Sequence, residues 1–485
     1  MSKHLHFIGI CGVAMSALAI AFKKVHPDQN GGAGYKITGS DVGFYPPVST
    51  HLKDAGVDFY PGWHPDKMMA SGAPNLVVVG NVASSHNPEW LYVQEHKLNY
   101  KSYPEVIRDF FIKTNSIVCA GTFGKSTSTA LLTWIFKYAK INPSYMFGGI
   151  SLNEMPAADL GQTNVGARHA VPLLDGQWSI VEGDEYKTAR WDNSPKFDYY
   201  KPTHLLLTSV VWDHADVYPT EKSYFEVFQK LYNSVPKTGL RIISEKALPL
   251  IKHNGETIIS YGKTAGCDYV YANVVETVSG VSFNILYKNQ SYPVATTCLG
   301  EYMADNATGC FAMALECGLE PNKIIAAIKS FKGVKRRLEK RLDGKITVFD
   351  TIAHSPTKAQ ADLASLRQVY KNKIIAVFEP NSGNREPAAL PGYAHAFSAA
   401  SEVIVPKLTK IKTSPTKALP IEGDELATVI AATHTNVKYI DDDQKLITYI
   451  KNQVNSGDVV VFLGSHGFRG MIEELITSLR PQSRR

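Results

Sequence analysis

Short runs of β-branched and aromatic residues alternate along this chain with longer stretches of helical periodicity. That alternation predicts α/β domains, with parallel sheets covered by helices. In the first block, residues 5–10 read as a strand, 13–24 as a helix, and 35–38 and 76–80 as later strands. A glycine-rich loop, Asn30-Gly31-Gly32-Ala33-Gly34, precedes the second strand. The next block opens with a strand at 116–120, a glycine-rich turn and a helix at 125–140. Strands are expected at 178–181 and 204–208, a helix at 221–233, and an antiparallel appendage between 268 and 297. Helical periodicity returns at 303–317 and 322–331. The third block repeats the rhythm, with strands at 346–350, 374–378, 402–405 and 459–463 and a Lys/Thr/Pro-rich surface loop at 407–417. The expected organisation is three α/β domains in tandem, 1–113, 114–333 and 334–485.

Composition narrows the class without changing that picture. The 485 residues are 44% hydrophobic and 20% charged, enough apolar material for several cores and unlike a disordered tail. Fifty-one Lys and Arg against 45 Asp and Glu leave +6, too small an excess for a polybasic nucleic-acid arm, so no nucleic-acid partner is expected. Six cysteines lack any CxxC spacing, which argues against a zinc ribbon and for reduced thiols in a cytoplasm. Residues 7–22 are almost free of charge, yet they fall short of the ~20 apolar residues of a spanning helix. Gly9 and Gly12 mark a strand turning into a helix there, so neither a signal peptide nor membrane insertion is expected.

The strongest chemical signal is Gly121-Thr122-Phe123-Gly124-Lys125-Ser126-Thr127, directly after one strand and before one helix. Such a turn lets backbone N–H groups and a helix N-terminus surround phosphate oxygens while the lysine neutralises the terminal phosphates. Ser126 or Thr127 would supply a hydroxyl for Mg²⁺. The spacing is shorter than G-x-x-x-x-G-K-[ST], so the generic pattern is not met, and a strand–turn–helix with a solvated lysine is the competing reading. Two acidic runs favour the nucleotide. Glu182-Gly183-Asp184-Glu185 and Asp213-His214-Ala215-Asp216 each follow a strand, at the end where such sheets bind ligands. Carboxylate oxygens with one imidazole suit Mg²⁺ or Mn²⁺.

Two further segments carry weaker signals. Gly9-Ile10-Cys11-Gly12-Val13-Ala14, with Ser40-Asp41 after the second strand, is similar to a dinucleotide fingerprint, although two residues instead of one separate its first glycines. It reads as a cradle for the diphosphate of some nucleotide, with a purely structural turn as the alternative. A nicotinamide oxidoreductase built on this turn would leave Gly-Lys-Ser-Thr unexplained. Arg336-Arg337, Asp350 and Ala353-His354-Ser355-Pro356 lie at the second block junction, where arginines are suited to grip polyphosphate and a charged linker is the alternative.

Taken in order, these motifs resemble those of the Mur ligases, ATP-dependent amide-forming enzymes of bacterial peptidoglycan synthesis. Residues 121–127 are similar to the family's Gly-Thr-His-Gly-Lys-Thr-Thr, 182–185 to its Glu-x-Asp-Glu and 213–216 to its Asp-His-x-Asp. Arg336, Arg337, Asp350, Ala353, His354, Pro356 and Thr357 match its later positions. The resemblance implies an N-terminal Rossmann-like domain for a UDP-sugar, a central P-loop ATPase domain and a C-terminal Rossmann-like domain for the amine. It implies that γ-phosphate passes to the muramate carboxylate and that an amine attacks the resulting acyl phosphate. Lys125, Glu182 and His214 would be catalytic, with Ser126, Glu182 and His214 on Mg²⁺ (Mn²⁺ as a substitute). ATP would meet Gly121, Thr122, Gly124, Lys125, Ser126, Thr127, Asn306, Arg337, Asp350 and His354. Gly9, Gly12, Ser40 and Asp41 would face the UDP moiety.

Gly9-Ile10-Cys11-Gly12, Thr38-Gly39-Ser40-Asp41 and Glu379-Pro380-x-Ser382 are most similar to the recycling branch. That branch joins UDP-N-acetylmuramate to L-Ala-γ-D-Glu-meso-diaminopimelate. The alternatives are the branch that adds a single L-alanine, or a nucleotide-binding homologue with altered catalysis. Phe123, Tyr302-Met303 and Ser355 depart from the family pattern and are the support for that last alternative.

Overall fold

The computed structural model describes residues 3–25, 34–44, 48–161, 176–213, 217–410 and 420–480. The loop expected at Asn30 to Gly34 therefore lies almost wholly outside the described residues, as does most of 407–417. Among the described residues, no helix is long and apolar enough to cross a membrane.

The first sheet contains β1 (Lys3–Ile8), β2 (Tyr35–Asp41), β3 (Asp58–Pro61), β4 (Leu76–Val79) and β5 (Tyr100–Ser102), with α1 (Val13–Lys23) and α2 (Pro88–Glu95) between strands. Its spatial order is β3-β2-β1-β4-β5, all parallel. The chain runs outward to β2 and β3, then returns to the other side of β1. The strand ends of β1 and β4 thus form the switch point where doubly wound sheets bind ligands. Phe7, Leu18, Phe22 and Val78 are fully buried on one face, as the alternating pattern of β1 requires.

The central sheet comprises β6 (Asn115–Ala120), β7 (Ser144–Met146), β8 (Ala158–Asp159) and β9 (Trp178–Gly183), followed by β10 (His204–Leu207), β11 (Leu240–Ser244) and β12 (Ile259–Gly262). The appendage adds β13 (Tyr269–Thr277), β14 (Gly280–Tyr287) and β15 (Gln290–Thr296). Spatial order is β15-β14-β13-β12-β11-β10-β6-β9-β7-β8, which places β6 between β10 and β9. Helix α3 (Lys125–Tyr138) follows β6, and α4 (Tyr302–Glu316) follows the appendage. The apolar cluster under the first sheet continues through Val118, Val181 and Leu205 of the central one. Both sheets accordingly belong to one compact unit, Met1–Val274 with Phe283–Ala295 and Ala304–Phe331.

The second unit is Val275–Ser282, Thr296–Met303 and Lys332–Arg485. It holds β16 (Glu339–Leu342), β17 (Thr347–Thr351), β18 (Ile374–Glu379), β19 (Glu402–Pro406), β20 (Val437–Ile440) and β21 (Val459–Gly464). Their order is β16-β17-β21-β18-β19-β20, and only the β16–β17 pair is antiparallel. The four central strands are buried along their whole length because helices cover both faces.

Candidate active site

Strand β6 delivers the 121–127 turn from the middle of the central sheet. Gly121 has φ +135°, and a Cβ there would sit 2.2 Å from Thr208 Oγ1. Gly124 has φ +87°, and its Cβ would lie 2.4 Å from Asn306 Oδ1. Both positions demand glycine for conformation and for close approach. Bonds to main-chain carbonyls hold the rest of the loop. The Thr122 N–H donates to the Ser209 carbonyl at 2.6 Å, and Thr208 Oγ1 donates to the Phe123 carbonyl at 2.6 Å. Any residue at 123 keeps these bonds, which is why Phe123 leaves the path of the loop intact.

Gly124→Ala is therefore expected to weaken nucleotide binding about tenfold while the chain stays folded, since a left-handed alanine costs roughly 1–2 kcal/mol. Titration calorimetry with a non-hydrolysable ATP analogue measures this; unchanged affinity would remove Gly124 from the site.

The first turn of α3 faces the end of β9. Ser126 Oγ donates to Glu182 Oε1 at 2.7 Å, and Glu182 Oε2 accepts the Gly148 N–H at 2.5 Å. Lys125 Nζ pairs with Glu185 Oε1 at 3.2 Å, and Tyr224 OH donates to the same oxygen at 3.3 Å. Burial alone would lower the Lys125 pKa, but Glu185, Asp184 and Glu182 outweigh it and hold the ammonium above its ordinary value. The Asp184 side chain is partly exposed, and the ammonium groups of Lys196 and Lys125 bring its carboxyl down to about 2. Lys196 reaches it at 2.5 Å, so Asp184 already has a cation of its own. A fixed positive charge thus stands beside a hydroxyl–carboxylate pair. Those are hard oxygen donors of the kind that hold Mg²⁺ together with substrate phosphates.

His214 and Asp216 lie outside the described residues, so the structure does not place the imidazole expected at this site. Among the described residues, no group of three or more His, Cys, Asp and Glu side chains is arranged around a metal position. Thr127 is buried in the first turn of α3, and Asn306 on α4 packs against the loop at Gly124.

The N-terminal turn is organised from beneath. The carbonyl of Ser40 accepts the Gly9 and Ile10 N–H groups at 2.9 and 3.1 Å, and Asp41 Oδ2 accepts that of Cys11 at 2.8 Å. Gly9 has φ +85° and lies under Val82 of the β4–α2 connection. Ser40 is fully buried, and both Asp41 carboxylate oxygens hold backbone amides, the second that of Val42 at 2.7 Å. Ser40 and Asp41 therefore shape the turn from inside, while Gly12 caps α1 and leaves the first-turn N–H groups of that helix without intrahelical partners.

In the second unit, Arg336 adopts φ +58° and reaches Asp350 at 3.1 Å and the carbonyls of Gly464, Ser465 and His466. Arg341 approaches Asp350 at 3.5 Å. Arg336 is thus a clasp across β17 and β21, while burial pushes the Asp362 carboxyl up to about 6 against the opposing charge of Arg337. The His354 N–H donates to the Ile352 carbonyl at 2.8 Å just before α5 (Pro356–Val369), which Ser355 caps by accepting the Lys358 N–H.

Sequence reasoning missed Glu185 as the partner of Lys125 and missed Gly148 and Thr208 altogether. Glu185 belongs to the acidic run 182–185, but nothing in spacing distinguishes a lysine partner from a metal ligand. Gly148 acts through its backbone N–H and Thr208 through a hydroxyl donated to a backbone carbonyl, and neither leaves a compositional trace.

Comparison with known proteins agrees with this geometry. Three family models match in chain order: "Mur ligase family, catalytic domain" over 4–113, "Mur ligase middle domain" over 119–314 and "Mur ligase, glutamate ligase domain" over 336–466. The UDP-N-acetylmuramate–L-alanyl-γ-D-glutamyl-meso-2,6-diaminoheptandioate ligase of Haemophilus influenzae is 31% identical over 385 residues, covering 78% of this chain and 80% of that one. A murein peptide ligase from Psychrobacter arcticus superimposes with TM-score 0.69 at 25% identity, over 99% of both chains. The UDP-N-acetylmuramate–alanine ligase of Thermotoga maritima shares the fold, with TM-score 0.77 at 20% identity over 99% of both chains. A phosphate loop faced by carboxylates, three matched models in order and a relative spanning most of the sequence lead to one conclusion: the chain belongs to the Mur ligase family.

Proposed function

We propose that this protein joins the carboxylate of UDP-N-acetylmuramate to the amine of L-Ala-γ-D-Glu-meso-diaminopimelate, with ATP converted to ADP and phosphate, in peptidoglycan recycling in the cytoplasm. The observation that carries the reading is the Lys125 ammonium and Ser126 hydroxyl set against Glu182 and Glu185 at the end of β9. The choice of peptide follows the Haemophilus influenzae relative, which is named for that acceptor.

A carboxylate is a poor acyl donor because oxide would have to leave. Attack of its oxygen on the γ-phosphorus, with departure of ADP, creates an acyl phosphate whose leaving group is phosphate. The amine nitrogen then attacks the carbonyl carbon, phosphate departs and the nitrogen loses a proton. Negative charge grows on the phosphoryl oxygens in the first step, and a preorganised ammonium at Lys125 stabilises it without reorganisation. Ser126, Glu182 and His214 are assigned to hold Mg²⁺, which when bound neutralises phosphate charge. Gly121, Thr122, Gly124 and Thr127 shape the phosphate pocket, and Asn306 abuts it. Arg337, Asp350 and His354 are assigned to the nucleotide from residues 334–485, the amine-receiving domain. Gly9, Gly12, Ser40 and Asp41 form the UDP-sugar turn of residues 1–113, and residues 114–333 are the ATP domain. Exclusion of water from the acyl phosphate requires closure over the site.

Phosphate release with UDP-N-acetylmuramate and ATP is expected to be at least about tenfold faster, as kcat/KM, with the tripeptide than with L-alanine. A coupled phosphate assay over L-alanine, dipeptide, tripeptide and tetrapeptide decides it. Faster turnover with free L-alanine would reassign the acceptor, and no release with any amine would indicate a nucleotide-binding homologue without ligase activity.

A further inference from the structure

Beneath the N-terminal turn lies a buried polar cluster that the proposed chemistry does not use. Glu89, in the first turn of α2, and His6, on β1, are both 0% exposed, and Glu89 Oε2 stands 3.6 Å from His6 Nε2. The same oxygen accepts the Ser40 hydroxyl. Its partner Oε1 accepts Tyr60 OH at 2.7 Å and the His64 N–H at 2.9 Å. His6 Nδ1 meets Thr38 Oγ1 at 2.8 Å, and that hydroxyl also meets His4 Nε2 at 2.8 Å. Register explains the grouping, since His6 pairs with Thr38 on β2 and Ser40 pairs with Tyr60 on β3. Their side chains share one face of the sheet, and α2 lowers Glu89 onto it.

A carboxylate in this position is costly to bury, and an exposed glutamate would serve the helix N-terminus equally well. A hydrophobic residue of similar volume would satisfy packing. What Glu89 adds is direction. It anchors the side chain of Ser40, whose carbonyl receives two successive N–H groups of the Gly9–Cys11 turn. The next residue on α2, Trp90, stacks on Trp191 of the central domain at 4.7 Å and 16°. One short helix therefore touches the underside of the turn and the neighbouring domain of the same unit.

We propose that Glu89, backed by His6 and Tyr60, is a positioning residue for the nucleotide-sugar turn, setting its affinity through Ser40 without touching ligand. The inference rests on the reading of residues 1–113 as the UDP-sugar domain. Burial alone would raise the Glu89 pKa, but His6, Ser40 and Tyr60 outweigh it and keep the carboxyl below its ordinary value, so the group acts as an anion.

Titration calorimetry of the full chain with UDP-N-acetylmuramate, and separately with a non-hydrolysable ATP analogue, tests this on wild type, Glu89→Gln and Ser40→Ala. Glu89→Gln keeps the volume but loses the charge, and is expected to weaken UDP-sugar binding about tenfold. Binding of the ATP analogue should stay within about twofold, with one site per chain retained. Ser40→Ala should shift UDP-sugar affinity in the same direction by about threefold, and it stands in if Glu89→Gln does not fold. A merely structural role would instead lower the number of sites per chain for both ligands and leave the remaining affinity unchanged, overturning the proposal. Wild-type affinity in both variants would overturn it too. If the wild-type chain binds ATP analogue but no UDP-sugar, the domain reading itself fails and this inference goes with it.

Discussion

Lys125→Ala is expected to reduce phosphate release by at least about a thousandfold, the scale on which removal of a preorganised charge from a phosphoryl-transfer site is felt. The ammonium lies 3.2 Å from Glu185, whose side chain is 1% exposed, so the substitution also leaves a buried carboxylate without its cation. That second effect destabilises by up to about 3 kcal/mol, and it must be separated from the loss of chemistry. The double variant Lys125→Met/Glu185→Gln does so by removing both charges while keeping volume. Its thermal midpoint should recover toward wild type while phosphate release stays absent. Near-normal release from either variant would show that triphosphate is bound elsewhere, and the proposed ligase mechanism would lose its centre.

Replacing Glu182 should have the next largest effect. Glu182→Gln preserves an oxygen for Ser126 Oγ and roughly the same packing, so the fold should persist. The change withdraws a full negative charge from the place where Mg²⁺ is assigned. A loss of about 10²- to 10³-fold in kcat is expected, together with a marked rise in the Mg²⁺ concentration giving half-maximal rate. Glu182→Asp, which retains charge with a shorter reach, should fall between the two. Titration of Mg²⁺ at saturating ATP reads both quantities. If Glu182→Gln leaves the Mg²⁺ dependence untouched, the metal is held by other oxygens and the role passes from Glu182.

Much of the first-order architecture was legible in the residue pattern. The expected strand at 116–120 and helix at 125–140 appear as Asn115–Ala120 and Lys125–Tyr138, and the four strands expected in the third block appear within one or two residues. The strands among these lie toward sheet centres, where both faces are covered and residues are buried almost without a break. The short strands Asp58–Pro61, Tyr100–Ser102 and Ser144–Met146 escaped because they lie toward sheet margins, and the first two alternate too little to stand out from loops.

The sequence by itself determined the strand–turn–helix that carries Gly-Lys-Ser-Thr. Backbone conformation and burial periodicity are local properties, written in neighbouring residues. Tertiary structure alone decided which charges meet. Glu182 reaches Ser126 from 56 residues away, Glu185 reaches Lys125 from 60, and Glu89 takes the Ser40 hydroxyl from 49. Each pairing depends on which strands lie side by side and which helix covers them. A lone glutamate in the first turn of a helix reads from sequence as an ordinary terminal acid, and only packing of that helix over β1 and β2 turns it inward onto histidine and serine.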